Sequence, residues 1–142
     1  MLALHRYFFW TGTMRSRFAE ARAEAQAKSE EADKDAHFLV PYLPYHLAGM
    51  YTLIEGWKRL DLHDAEVDAL LDAEHLKLLE AFRHGVYHFH PEYYDEKFRG
   101  FWSRGQDAVD WSTKLFVAFD QFFRKWFTEQ LEQLDAVGPK PE

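Results

Sequence analysis

Apolar residues recur at helical spacing along nearly the whole chain, and no stretch alternates with the period of two that marks a strand. The first helical pattern runs from Leu2 to about Ala36. Its first half is aromatic, with Tyr7, Phe8, Phe9 and Trp10 in a row, and its second half is rich in Ala, Glu, Lys and Arg, the composition of a solvated helix. Pro41 and Pro44 predict a break, because the residue before a proline is biased away from helical geometry. A second helix is predicted from Tyr45 to Leu60, with Leu47, Met50, Tyr51, Ile54 and Trp57 on one face. Asp61 to Asp64 reads as a stop, and Asp64 caps a short helix through Leu71. Asp72 caps the next helix, which carries Leu76, Leu79, Phe82 and Val86 and is ended by Pro91. Glu92 to Trp102 is a charged, aromatic connector of one or two helical turns, punctuated by Gly100 and Gly105. The last helix is predicted from Asp107 to about Leu134. Trp111, Leu115, Ala118, Phe119, Phe122 and Trp126 form its stripe, widened by Phe116, Phe123, Phe127 and Leu131. Residues 137–142 read as a frayed tail. The chain is therefore expected to be one all-α domain over residues 1–142, a four-helix bundle with one or two short accessory helices.

Composition adds a quaternary expectation. The chain has 13 Phe, 7 Tyr and 5 Trp in 142 residues, more aromatic bulk than one small core needs. The surplus predicts an interface, and with it a homodimer. The absence of cysteine excludes disulfides and thiolate catalysis. No segment approaches the roughly 20 apolar residues that span a bilayer. The apolar start, Met1 to Trp10, lacks a leading basic region and reads as helix rather than signal peptide. A cytoplasmic protein without membrane contact is expected.

Charge narrows the search for chemistry. The formal net charge is −7, which disfavours general affinity for long nucleic acid. Residues 75–104 run against that balance, with five basic groups (Lys77, Arg83, Lys97, Arg99, Arg104), four acidic ones and four histidines. Within them, Arg83-His84-Gly85-Val86-Tyr87-His88 sets an arginine five positions before a histidine near a helix end. Arginine presents a planar fork of donors suited to phosphate, and histidine moves protons near neutral pH. Together they are a minimal kit for cutting a phosphodiester without a metal. Five positions on an ideal helix turn through about 140°, so Arg83 and His88 do not share a face, whereas His84 and His88 do. The pair can meet if the helix loosens after Gly85, or across a two-fold contact.

The same residues carry a likeness to known proteins. A small helical bundle with R-[N/H/D]-x-x-x-H at the end of its third main helix resembles the HEPN superfamily. Ile54-Glu55-Gly56-Trp57 and Arg83 to His88 also look like blocks carried by a group of uncharacterised bacterial proteins. The resemblance implies a dimeric endoribonuclease that needs no metal or other cofactor, with Arg83 and His88 as the catalytic pair and His84 orienting them or sharing the proton work. It implies RNA rather than DNA as substrate, a toxin or defence setting, and an antitoxin or regulatory protein as partner. Toxins silenced by a nucleotidyltransferase usually read R-x-x-x-x-H-x-Y. Here His90 stands at the tyrosine position, so that modification has no acceptor.

Other readings stand beside these. Arg83 can pair with Glu80 or Glu55 and tie helices together, which makes the alternative function a non-catalytic dimeric interaction module. Glu55, set among apolar residues, is expected to be paired, with Arg83 as its partner and His90 as a further supporting residue. His84, His88 and His90 have partial zinc-ligand spacing, but no acidic residue lies between the first pair and no thiolate completes a site, so no metal is expected. The segment from Lys97 to Arg104 interleaves aromatics with cations as single-strand RNA binders do, and equally as a connector packed on the bundle does.

Overall fold

The computed structural model describes residues 1–28, 41–92, 96–104 and 106–136. Among them are six helices and no strand: α1 (Leu2–Lys28), α2 (Tyr42–Arg59), α3 (Ala65–Leu70), α4 (Ala73–Tyr87), α5 (Glu96–Trp102) and α6 (Gln106–Ala136). The chain is all-α, with four long helices and two short ones among the described residues. The predicted stretch of the first helix beyond Lys28, together with Gly105 and the tail 137–142, lies outside the described residues.

Local chemistry explains most of the boundaries. The Asp64 carboxylate accepts from the backbone N–H groups of Glu66 and Val67 and starts α3, and Asp72 accepts from those of Glu74 and His75 and starts α4. Both caps satisfy amides that a helix start leaves unpaired. Three ends differ from the sequence reading. Pro44 does not break α2; it sits in the first turn, where its missing N–H costs nothing. α4 stops at Tyr87, before Pro91, because His88 turns extended at φ −116° and ψ 138°. Asp107 lies inside the first turn of α6 rather than at its cap.

α1 and α2 pack closely enough to exclude side chains from part of their contact. A Cβ on Gly49 would lie 2.5 Å from Thr11 Oγ1, and one on Gly56 would lie 2.5 Å from Leu4 Cδ1. The two glycines are two turns apart on one face of α2, so they form a seam for Leu4 and Thr11. The main core is Leu47, Leu53, Ile54 and Trp57 of α2, Leu79 and Phe82 of α4, Phe101 of α5, and Leu115, Phe119 and Phe123 of α6. Indole N–H groups tie in α3: Trp57 Nε1 donates to Asp68 at 3.1 Å, and Trp111 Nε1 donates to the Leu70 carbonyl at 2.8 Å.

The broad aromatic arc of α6 finds its partners within the chain. Phe116 stacks on Phe8 with centroids 4.8 Å apart, Phe122 meets Trp57 at 4.7 Å, and Phe127 meets His5 at 4.6 Å. The aromatic side chains left in solvent lie elsewhere: Tyr7, Phe9 and Trp10 on α1, and Tyr42, Tyr45, Tyr87 and Phe89 around the start of α2 and the end of α4. Among the described residues no helix is long and apolar enough to cross a membrane.

Candidate functional site

α4 positions the motif. Leu79, Phe82 and Gly85 face the core, three residues apart. That spacing leaves Arg83 on the flank toward α2 and sends His84 and His88 outward. Gly85 is buried, and the helix continues through it to Tyr87, so the loosening that would bring Arg83 and His88 together on one chain does not occur. The backbone N–H of His88 still donates to the His84 carbonyl at 3.1 Å. The two imidazoles stack on each other with centroids 5.1 Å apart and planes inclined by 22°. Both are exposed. No hydrogen bond or ring contact joins Arg83 to either imidazole among the described residues. His90 follows two residues on and is half-buried.

Arg83 is held by two side chains. Its Nη2 lies 3.5 Å from Glu55 Oε2, and its guanidinium sits 5.5 Å from the Tyr51 ring centroid. Burial and the negative charges of Glu80 and Glu55 push the Tyr51 phenol up, with Arg83 opposing. The expected Glu55–Arg83 pair is therefore present, but Glu55 is exposed rather than enclosed in the core, because its neighbours Ile54 and Trp57 take the inward directions of α2. An ion pair with this exposure adds little to stability. Arg83 Nε is buried and has no hydrogen-bond partner among the described residues. The guanidinium thus keeps unused donor capacity beside a partly open surface.

Two histidines outside the motif are the more tightly held. His46 is buried and its Nδ1 hydrogen-bonds to the Thr11 carbonyl at 3.0 Å, which makes Nδ1 the protonated nitrogen. Burial brings its pKa down to about 4, partly offset by that hydrogen bond and aided by the charge of Arg15. His75 lies between Asp72, at 2.8 Å from Nδ1, and Asp107, at 3.1 Å from Nε2, and stacks on Trp111 at 4.8 Å. Neither stood out in the sequence. His46 lies in an apolar run without any charged neighbour, and the Asp107 partner of His75 is 32 residues away.

Among the described residues no group of three or more His, Asp or Glu is arranged to hold a metal. In the segment from Lys97 to Arg104, Phe101 is fully buried against Phe82, and Arg104 pairs with Glu74 at 2.9 Å. That part of the connector is packed on the fold rather than open to a strand of RNA. Comparison of the chain with protein-family models, with curated proteins and with solved structures finds no match.

Proposed function

We propose that this chain is a metal-independent endoribonuclease of the HEPN type, a four-helix bundle acting as a cytoplasmic homodimer on single-stranded RNA. One observation carries the reading: an arginine with an unpartnered buried Nε stands on the same helix end as two exposed imidazoles. Phosphate is the natural complement of such an arginine. His88 removes the 2′-hydroxyl proton, and the freed oxygen attacks the adjacent phosphorus. The 5′-oxygen leaves and takes up a proton, giving a 2′,3′-cyclic phosphate and a 5′-hydroxyl. Arg83 stabilises the charge that grows on the non-bridging oxygens. His84, stacked on His88, orients that ring or returns the proton. DNA lacks the nucleophile and is not cut.

Within one chain the helical offset between Arg83 and His88 persists. A two-fold contact that sets one copy's motif against the other's removes it. Tyr45, Tyr87 and Phe89 are exposed next to the motif and supply apolar area for that contact. This is a better candidate surface than α6, whose aromatics are taken up internally. An antitoxin or other regulatory protein is the expected partner in a toxin or defence setting, acting by some means other than tyrosine modification at the His90 position.

The pairing of Arg83 with Glu55 and its seat over Tyr51 favour a second reading, a non-catalytic dimeric interaction module in which the motif is structural. A cleavage assay on a mixed RNA pool in EDTA separates the two. The nuclease reading expects cleavage by the wild type, severe loss in Arg83→Ala and His88→Ala, and no cut in DNA. Equal cleavage by wild type and His88→Ala, or no cleavage of any RNA, replaces it with the module. Light scattering expects twice the 16.9 kDa of one chain.

A further inference from the structure

Away from the motif, α1, α2 and α6 enclose a cleft of about 390 Å³. Its walls are apolar, with Leu43, Leu47 and Val109 among them. Besides the Ser16 and Thr113 hydroxyls, its polar groups fall into two kinds. Arg15 and Arg22 come from α1, two turns apart on one face, and neither forms an ion pair among the described residues. Arg15 rests over the Phe116 ring at 5.0 Å, which orders its guanidinium without neutralising it. His46 and Ser112 line the same cleft and are both buried. Each has already committed its proton: His46 Nδ1 to the Thr11 carbonyl, and Ser112 Oγ to the Val109 carbonyl at 2.9 Å. What remains is acceptor capacity, on His46 Nε2 and on the Ser112 oxygen. His46 Nε2 has no partner among the described residues.

The neutral imidazole of His46 therefore presents an accessible nitrogen lone pair that can accept from a donor on a ligand. Two unneutralised guanidinium groups on the same cleft ask for an anion. We infer that the cleft between α1, α2 and α6 is a binding site for a small organic acid that carries a hydroxyl or N–H donor at the end remote from its carboxylate. The carboxylate meets Arg15 and Arg22, the apolar body lies along Leu43, Leu47 and Val109, and the donor reaches His46 Nε2 and Ser112 Oγ. Its size is within the range that takes such ligands. The low pKa of His46 keeps Nε2 an acceptor throughout the neutral range. The site is independent of the motif on α4, and its occupant need not be a nuclease substrate.

The test uses three matched probes on the full chain: 4-hydroxyphenylacetate, which has both groups; phenylacetate, which lacks the donor; and 2-(4-hydroxyphenyl)ethanol, which lacks the charge. Calorimetry gives the affinities, and the His46 ring signals in NMR report the location. The first probe should bind at least tenfold more tightly than either other and should shift the His46 resonances. Arg22→Gln, an exposed position that leaves the fold intact, should weaken the first probe and phenylacetate but leave the alcohol unchanged. His46→Phe keeps the bulk and should remove the advantage of the hydroxyl. If that variant does not fold, Ser112→Ala provides the same comparison. Three probes that bind alike, binding that leaves the His46 signals in place, or no saturable binding at millimolar concentration overturns the inference.

Discussion

The two ends of α4 carry similar residue types in opposite states. At the N-terminal end, His75 is clamped between Asp72 and Asp107 and stacked on Trp111, while Arg104 bridges to Glu74. Each of these side chains has a partner, and the cluster joins the starts of α4 and α6. At the C-terminal end, among the described residues, the exposed His84 and His88 contact only each other, and Arg83 holds a 3.5 Å contact to Glu55 with Nε unpaired. Satisfied polar networks rigidify a fold. Unsatisfied groups at an accessible surface are what a ligand can use. The difference teaches that residue type alone does not mark a site on this helix; the supply of partners does.

The largest effect expected from this comparison is on catalysis. His88→Ala should lower RNA cleavage by about 10²–10⁴-fold, the usual worth of a positioned proton-transfer group. It should leave the melting temperature unchanged, because the ring is exposed and makes no bond to the core. His75→Ala should do the reverse, lowering the melting temperature and leaving cleavage per folded molecule intact. Parallel thermal melts and cleavage rates on the two variants check this. If His75→Ala alone stops cleavage, the site lies at the other end of the helix.

How much of this could be read from the sequence depends on how local each determinant is. The capping residues Asp64 and Asp72 were legible, because a cap acts within three residues. The Arg83–Glu55 pair was legible because each residue sits at helical spacing among apolar neighbours. The exposure of Glu55 was not, since a helix turns by 100° per residue and the apolar run around it hides which direction faces out. The end of α4 at Tyr87 was missed, because Pro91 is the strongest breaker in that stretch and the extended turn at His88 has no residue-level signal. The internal placement of Phe116, Phe122 and Phe127 was also missed. Their partners Phe8, Trp57 and His5 lie on α1 and α2, and a broad apolar arc looks the same whether its cover comes from the same chain or another.

Acid sharpens the comparison next. His46 has a folded pKa of about 4 against an ordinary value of 6.5. Its depressed pKa means the unfolded chain takes up the proton first as pH falls. Stability is then full above about 6.5 and declines down to about 4, by about 3 kcal/mol in all. Asp72 is also held below its ordinary carboxylate value. Burial works against this and is outweighed by the hydrogen bonds it accepts from His75 and Glu74. Its contribution is present above its unfolded value and is lost as pH falls further still. Denaturant titrations should therefore find most of the loss between pH 6.5 and 4, and His46→Phe should flatten that slope. An unchanged slope would place the acid sensitivity elsewhere.

Removing the cap comes next in size. Asp72→Ala deletes the acceptor for the Glu74 and His75 amides and one of the two carboxylates on His75. The expected cost is about 1 kcal/mol, or a drop of about 2–4 °C in melting temperature for a domain of this size. Cleavage by the folded protein should be unaffected, since the change lies at the clamped end of α4. A loss of cleavage without a loss of stability would mean that the two ends are coupled through the helix.

The smallest effect should come from Glu55→Gln. The pair with Arg83 is 3.5 Å long, and its side chains are 33% and 47% exposed, so water already screens it. Its loss should cost no more than about 1 kcal/mol. The change keeps the shape of the side chain and removes a negative charge that competes with phosphate for the guanidinium. If Arg83 serves as a phosphate clamp, RNA should bind Glu55→Gln more tightly than wild type, with the difference shrinking as salt rises. If Arg83 serves only to tie α2 to α4, binding should not change. Fluorescence anisotropy with a labelled single strand, at two salt concentrations, distinguishes these outcomes without requiring cleavage. The variant therefore tests whether the loosely held end of α4 recognises phosphate even if the chemistry assigned to His88 is wrong.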